Sequence, residues 1–332
     1  MKKKEIITPG GEAVAVAAKP KKISLAEKWK GIDWEKWKRK NLNWNGIGRF
    51  CWIILRFIIV FGICFTIIYP YIVKLIVSFM STADIDDATV MYIPREISTY
   101  FIQKASYSMN YWVSMLNTAL LSLAAAALTL VVSTMVGYGF ARFKFVGSNL
   151  LFFMIILTLI IPAQTIMIPL YVNFNSLGLI NTFWPIVVLS ATGLGLKNGL
   201  YIYMMRQFFR GMPKELEMSA YIDGAGHFRT FFSIMLPNAS NMMITIFLFS
   251  FTWQWTDTTF NSMLFPRLEI LTNTISDVMK ASATSGSSLE SSTQTQALLD
   301  TSSLMLIFPL LIVFLFAQRY FIQSIERSGL VE

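Results

Sequence analysis

Six stretches of the chain are apolar over lengths that match a lipid bilayer. A hydrocarbon core about 30 Å thick takes roughly 20 residues of α-helix. The segments 50–80, 112–140, 149–171, 183–205, 238–255 and 303–320 fit that requirement. Polar, charged and turn-forming residues separate them. Pro70, Pro162, Pro169 and Pro309 lie in or at the ends of these segments, where membrane helices tolerate kinks. The pattern predicts an all-α polytopic membrane protein with six transmembrane helices.

Charge supplies the orientation. The chain carries 28 Lys and Arg against 19 Asp and Glu, a net charge of +9. Residues 1–49 hold 13 of the basic residues and 5 of the acidic ones, so nearly all of the excess lies in one N-terminal tail. With the N-terminus placed in the cytoplasm, the inside segments carry 21 Lys and Arg and the outside segments carry 4. Basic residues collect on the cytoplasmic side of membrane proteins, which predicts an N-in, C-in arrangement. The first part of the tail, Met1 to Pro20, reads as unstructured. Further on, Trp29, Trp34, Trp37 and Trp44 are interleaved with lysines, and Leu25, Trp29 and Ile32 fall at helical spacing. That mixture suits a helix in an anionic headgroup layer as well as a solvated tail that only sets topology. Nucleic acid is disfavoured as a partner, because no binding motif accompanies the charge.

Composition narrows the chemistry. The chain is 55% hydrophobic and 14% charged, far from a soluble domain. Two cysteines, Cys51 and Cys64, share one apolar segment and offer no disulfide framework. A single histidine, His227, leaves no His-based metal site or Ser-His catalytic arrangement in prospect. No glycine is followed by lysine, so a Gly-x-x-x-x-Gly-Lys phosphate loop is lacking. None of the acidic residues falls clearly within a predicted span, which disfavours an ion-coupled carrier. A membrane enzyme is disfavoured for want of catalytic partners at membrane depth.

A few polar residues at membrane depth are candidates for a transport pathway. Lys197 is the one charge well inside the fourth segment, among Gly193, Gly195 and Gly199. It fits an intramembrane polar site, and it fits equally a structural role at a close helix crossing. Asn241, Gln254, Trp255 and Asp257, with Trp253 beside them, flank the ends of the fifth segment. The four residues at its far end, Trp253, Gln254, Trp255 and Asp257, also suit an interfacial aromatic anchor, the simpler reading.

The loop 211–237 is the most informative stretch. Pro213 suits the first turn of a helix, and Glu215 and Glu217 follow where the helix dipole favours anions. The spacing predicts a helix to Ile222, a break at Asp223-Gly224, and a second amphipathic stretch carrying Phe228, Phe231, Phe232 and Met235 on or near one face. Such a helix-turn-helix could pack on its own spans or dock in a groove of a cytoplasmic partner.

These residues resemble the EAA motif of permease subunits in binding-protein-dependent ATP-binding cassette importers, in its carbohydrate-importer version. The resemblance rests on Pro213-Lys-Glu-Leu-Glu217, Ala220-Tyr-Ile-Asp-Gly-Ala225 and Ile234-Met-Leu-Pro237. Tyr203–Phe209 before the motif, Trp255-Thr-Asp257 after the fifth segment and Gln318-Arg-Tyr-Phe321 near the C-terminus extend it over about residues 50–332. It is nearest to the smaller, six-span permease of the maltose-transporter type. Met218 and Ser219 stand where the motif has Glu and its first Ala, and Thr256 where it has Asn. Glu215 and Glu217 are candidates to replace the missing acid.

The resemblance implies a multi-pass subunit of a prokaryotic cytoplasmic membrane, importing a sugar or another solute. It implies a second permease, two cytoplasmic ATPase subunits that use ATP and Mg, and an extracytoplasmic solute-binding protein. The chain itself would bind no cofactor or metal and catalyse no reaction. Glu215, Glu217, Ala220, Asp223, Gly224, Ala225, Leu236 and Pro237 would form the ATPase-coupling loop. The Ser/Thr-rich stretch Ala281 to Ser303 has no counterpart in that pattern and reads as an outside loop.

Overall fold

The computed structural model describes residues 5–7, 13–15, 44–284 and 292–329. The predicted amphipathic helix around Trp29 lies outside the described residues. The chain divides into two units, Met1–Tyr69 and Pro70–Glu332.

In the first unit, β1 (Glu5–Ile7) pairs antiparallel with β2 (Ala13–Ala15), in the register Ile6 opposite Val14. This ribbon departs from the all-α, unstructured-tail expectation. The sequence between its strands contains Pro9, Gly10 and Gly11, all favourable for turns. Helix α1 (Trp44–Ser78) begins in this unit and contains Pro70. Its side chains over 48–69 are exposed and almost wholly apolar, as for a helix solvated by lipid tails.

Among its described residues the second unit contains helices joined by turns and loops, and no strand. After α1 come α2 (Thr82–Asp86), α3 (Tyr100–Ser108), α4 (Tyr111–Arg142), α5 (Ser148–Ile160), α6 (Ala163–Ser176), α7 (Trp184–Ala191) and α8 (Asn198–Gly211). Then follow α9 (Glu215–Ile222), α10 (His227–Thr230), a π-type turn over Phe231–Met235, α11 (Leu236–Asn238), α12 (Ser240–Thr256), α13 (Thr259–Leu264), α14 (Leu271–Thr284) and α15 (Ser292–Gly329).

Helix α4 is the axis of this unit, packed against α7, α8 and α12. Its buried face is made of small residues, including Ser114, Thr118, Ser122, Ala126, Thr129, Ser133 and Gly137. Lipid tails are as apolar as leucine, so close backbone approach over small residues is what drives such packing. A Cβ at Gly137 would lie 2.5 Å from the Met205 Cβ of α8. Only glycine allows that crossing.

Three helices among the described residues are long and apolar enough to cross a membrane: α1, α4 and α15. Two bent pairs bring the number to as many as five. Two of the predicted spans, the third and the fourth, are not single straight helices. The third stops at Ile160 and restarts at Ala163, turned by 98°. Pro162 lies at this break and biases Ile161, before it, away from helical geometry. The fifth is α12, and the helical run 227–238 before it is bent from it by 74°. The fourth is broken into α7 and α8 around residues 192–197. Gly193 has φ +81° and Lys197 φ +58° there, left-handed geometry that no helix continues through.

The Ser/Thr-rich stretch 281–303, expected as a loop, is helical at both described ends, in α14 and α15. Its hydroxyls return to the helix: Thr301 Oγ1 donates to the Ala297 carbonyl at 2.8 Å and Ser303 Oγ to that of Leu299 at 2.8 Å. The longer α15 also takes in Asp300, against the expectation that no acid lies within a span. The Lys74 ammonium is 2.6 Å from the Asp300 carboxylate, so each neutralises the other.

Candidate functional site

The segment 211–237 forms a rigid bracket. Helix α9 ends in a Schellman motif. The Ala225 N–H donates to the Ala220 carbonyl at 2.9 Å, and the Gly224 N–H to that of Tyr221 at 3.1 Å. The motif needs a left-handed residue after Asp223, and Gly224 supplies it at φ +80°. Tyr221 Oη and His227 Nδ1, 2.9 Å apart, close the corner between α9 and α10.

Burial divides the predicted coupling residues into two sets. Ala220 and Glu217 point inward, while Glu215, Asp223, Gly224 and Pro237 are exposed; Ala225 and Leu236 lie between. Glu217 is therefore not free to replace the motif acid on an outer surface. Its carboxylate accepts from the Tyr138 hydroxyl at 2.9 Å and lies 3.4 Å from the Arg142 guanidinium. Arg142 also donates to the Met212 carbonyl at 2.9 Å. The last turn of α4 thus grips both ends of the segment leading into α9.

The four apolar residues expected near one face occupy two. Phe231 and Met235 are buried with Tyr138, Tyr201, Met205 and Phe209, and the Tyr138 and Phe231 rings lie 4.7 Å apart. Phe228 and Phe232 face outward, 80% and 57% exposed. Ile222, 85% exposed, and Met218 add to the outer apolar surface. One set fastens the bracket to the spans and the other is left uncovered.

The predicted pathway residues do not gather into one site. Trp255 is not an interfacial anchor: it is buried, lies tilted against the Phe251 ring at 5.5 Å, and donates Nε1–H to the Leu306 carbonyl at 3.1 Å. Gln254 is buried and donates to Asn261 at 3.2 Å. Asp257 accepts the N–H groups of Phe260 and Asn261 at 2.9 and 3.0 Å, fixing the start of α13. Asn241 is half-buried, and its carbonyl accepts from Thr245 Oγ1 at 3.0 Å. Lys197 differs: it is exposed, at the break between α7 and α8, with its ammonium 5.0 Å from the centroid of the Trp253 ring.

Sequence reasoning missed Tyr138 and Arg142 as the holders of the bracket. They lie some seventy residues from their partners, and no local pattern connects them.

The profile of the binding-protein-dependent transport system inner membrane component family matches residues 129–327, more than half of the chain. The chain belongs to this family. It is a multi-pass permease, the membrane component of a transport system.

Over 282 residues the permease is 27% identical to the arabinooligosaccharides transport system permease protein AraQ of Halalkalibacterium halodurans, spanning 83% of this chain and 96% of that one. It is 30% identical over 240 residues to the osmoprotective compounds uptake permease protein GgtD of Synechocystis sp., covering 71% and 77% of the two chains. Its fold is shared with a bacterial ABC transporter involved in the import of the acidic polysaccharide alginate. The TM-score is 0.69 at 21% identity, over 82% of this chain and 96% of that one.

Proposed function

We propose that this permease carries a sugar or oligosaccharide into the cell, and that residues 211–237 couple it to ATPase subunits. The observation that carries the coupling role is the bracket. It is a short helix with a fixed C-terminus, clamped to α4 from within, presenting Met218, Ile222, Phe228 and Phe232 outward. Uncovered apolar side chains on a rigid support mark a protein interface. Packed interfaces switch between discrete arrangements, so a clamped helix transmits closure of an ATPase dimer to the spans.

In this reading residues 50–332 form the transmembrane domain and cross the membrane six times, with both termini inside. The division of basic residues between alternate segments supports that topology. The bent pair α5–α6, the broken pair α7–α8 and α12 each count as one crossing, with the backbone exposed at the breaks covered in the assembly. A second permease pairs with this chain, two ATPase subunits use ATP and Mg, and a solute-binding protein delivers the cargo. The basic tail 1–49 lies on the cytoplasmic side, where anionic lipid would attract it.

Sugar as cargo is supported by the arabinooligosaccharide relative, 96% of whose length this chain matches. The relative for osmoprotective compounds favours a second reading, a small compatible solute. The test is uptake into vesicles holding this chain with a partner permease, ATPase subunits and a matching binding protein. ATP-dependent accumulation of a labelled oligosaccharide is expected. Accumulation only of a non-sugar osmoprotectant would support the second reading, and uptake without ATP or the ATPase subunits would overturn both.

A further inference from the structure

We propose that Lys197 and Trp253 form a solute-contact site on the wall of the transport pathway, taking one sugar ring of the cargo. The proposal rests on the saccharide reading above.

The first observation is depth. Cβ atoms at Gly193 and Gly195, just before Lys197, would lie 3.5 Å from Val132 and 3.3 Å from Thr129 of α4. Thr129 stands 13 residues before Arg142, about 20 Å along the helix. From there a lysine side chain cannot reach the water beyond the end of α4. The ammonium is nonetheless exposed on this subunit, and among the described residues no carboxylate pairs with it.

The second observation is the backbone. Three described non-glycine residues have positive φ: Asn110, Asn181 and Lys197. Asparagine tolerates that region, whereas lysine is strained in it. Around Lys197 the chain has left helical geometry, and Thr192 and Leu194 are exposed with it. Non-helical backbone and an unpaired charge are both unfavourable against hydrocarbon. They are tolerated at this depth where they line water or protein.

The third observation is the partner. Trp253 is 48% exposed on α12, and Phe249 and Thr256 are exposed at i−4 and i+3 on the same face. Its indole offers a flat apolar platform for the C–H groups of a sugar ring. The ammonium beside it has three N–H donors for the ring hydroxyls and no acceptor of its own. Attraction between the ammonium and the ring holds the pair together while the pathway is empty.

The test uses the complete transporter in vesicles. A panel of neutral oligosaccharides is screened on the wild type, and the one with the lowest KM for uptake becomes the probe. Lys197→Gln and Trp253→Leu are each expected to raise that KM about tenfold, the size of one lost charged hydrogen bond or stacking contact. Lys197→Arg and Trp253→Tyr should recover most of the loss. Unchanged KM in both disruptive variants would overturn the site. Loss of the second permease on purification of Lys197→Gln would overturn it too, assigning the pair to the subunit interface. If no saccharide is taken up by the wild type, the saccharide reading fails first and this inference goes with it.

Discussion

The Tyr138 hydroxyl donates to the Glu217 carboxylate at 2.9 Å, joining the last turns of α4 to the helix of the coupling bracket. Both side chains are buried, and the Arg142 guanidinium sits 3.4 Å from the same carboxylate. Any movement of the bracket is therefore felt at the end of the central helix. Breaking a buried charge pair from one side costs about 3–5 kcal/mol, because the other charge is left unpaired. Glu217→Ala should lower the thermal midpoint of the detergent-solubilised protein clearly. Glu217→Gln, which can still accept from Tyr138, should lower it less. Equal midpoints for Ala and the wild type would show that the contact does not hold the bracket.

Gly224 isolates a purely conformational effect. A Cβ there would meet no atom within 4 Å, so substitution brings no clash. The penalty is the left-handed φ of +80°, about 1–2 kcal/mol for an ordinary residue and less for asparagine. Gly224→Val should loosen the Schellman turn and uncouple ATP hydrolysis from uptake, while Gly224→Asn stays near wild type. The ratio of ATP hydrolysed to solute imported reads this directly.

The outward and inward sets of the bracket should respond differently. Ile222→Asp and Phe228→Asp change exposed positions and are expected to reduce ATPase recovered with the permease, with the thermal midpoint unchanged. Ala220→Arg inserts a charge at a buried position and should instead lower yield and midpoint. Full ATPase recovery with both Asp variants would remove the docking role from this face.

At Gly137 the expected effect is steric. The Met205 Cβ and the Arg206 backbone nitrogen leave no space for a methyl group. Gly137→Ala should therefore separate α4 from α8, with overpacking losses of about 1–3 kcal/mol. Gly139, two residues on, has open space around it, and Gly139→Ala serves as the control. Matching thermal midpoints for the two variants would contradict the close crossing.

The segment after α2 carries a pH-dependent clip. The Thr89 N–H and hydroxyl donate to Asp87, and Arg95 adds a contact at 2.6 Å. Together they hold the Asp87 carboxyl at about 2. A lowered folded-state value means the contribution is complete above the unfolded value of about 4 and is lost as pH falls toward 2. The difference in protease resistance between wild type and Asp87→Asn should be constant from neutral pH to about pH 5 and vanish near pH 2. A difference that grew on acidification would have the wrong sign.

The sequence by itself determined the membrane class, the family pattern and the bracket's local shape. Apolar length, the Asp223-Gly224 break and the first-turn acids are local features. They act through hydrophobic burial, backbone freedom and the helix dipole over a few residues, so one dimension is enough to read them. Tertiary structure decided which way each side chain faces. Glu217 and Glu215 look alike in the sequence, but Tyr138 and Arg142, brought from α4, turn one inward. Trp253 and Trp255 are two residues apart, but the Leu306 carbonyl buries the second while Lys197 meets the first. The broken fourth span was decided the same way. Gly195 and Gly199 read as small helix residues, but Thr129 of α4 and Thr158 of α5 press against them. Those contacts join residues far apart in the chain, and packing that close forms only when the helices meet.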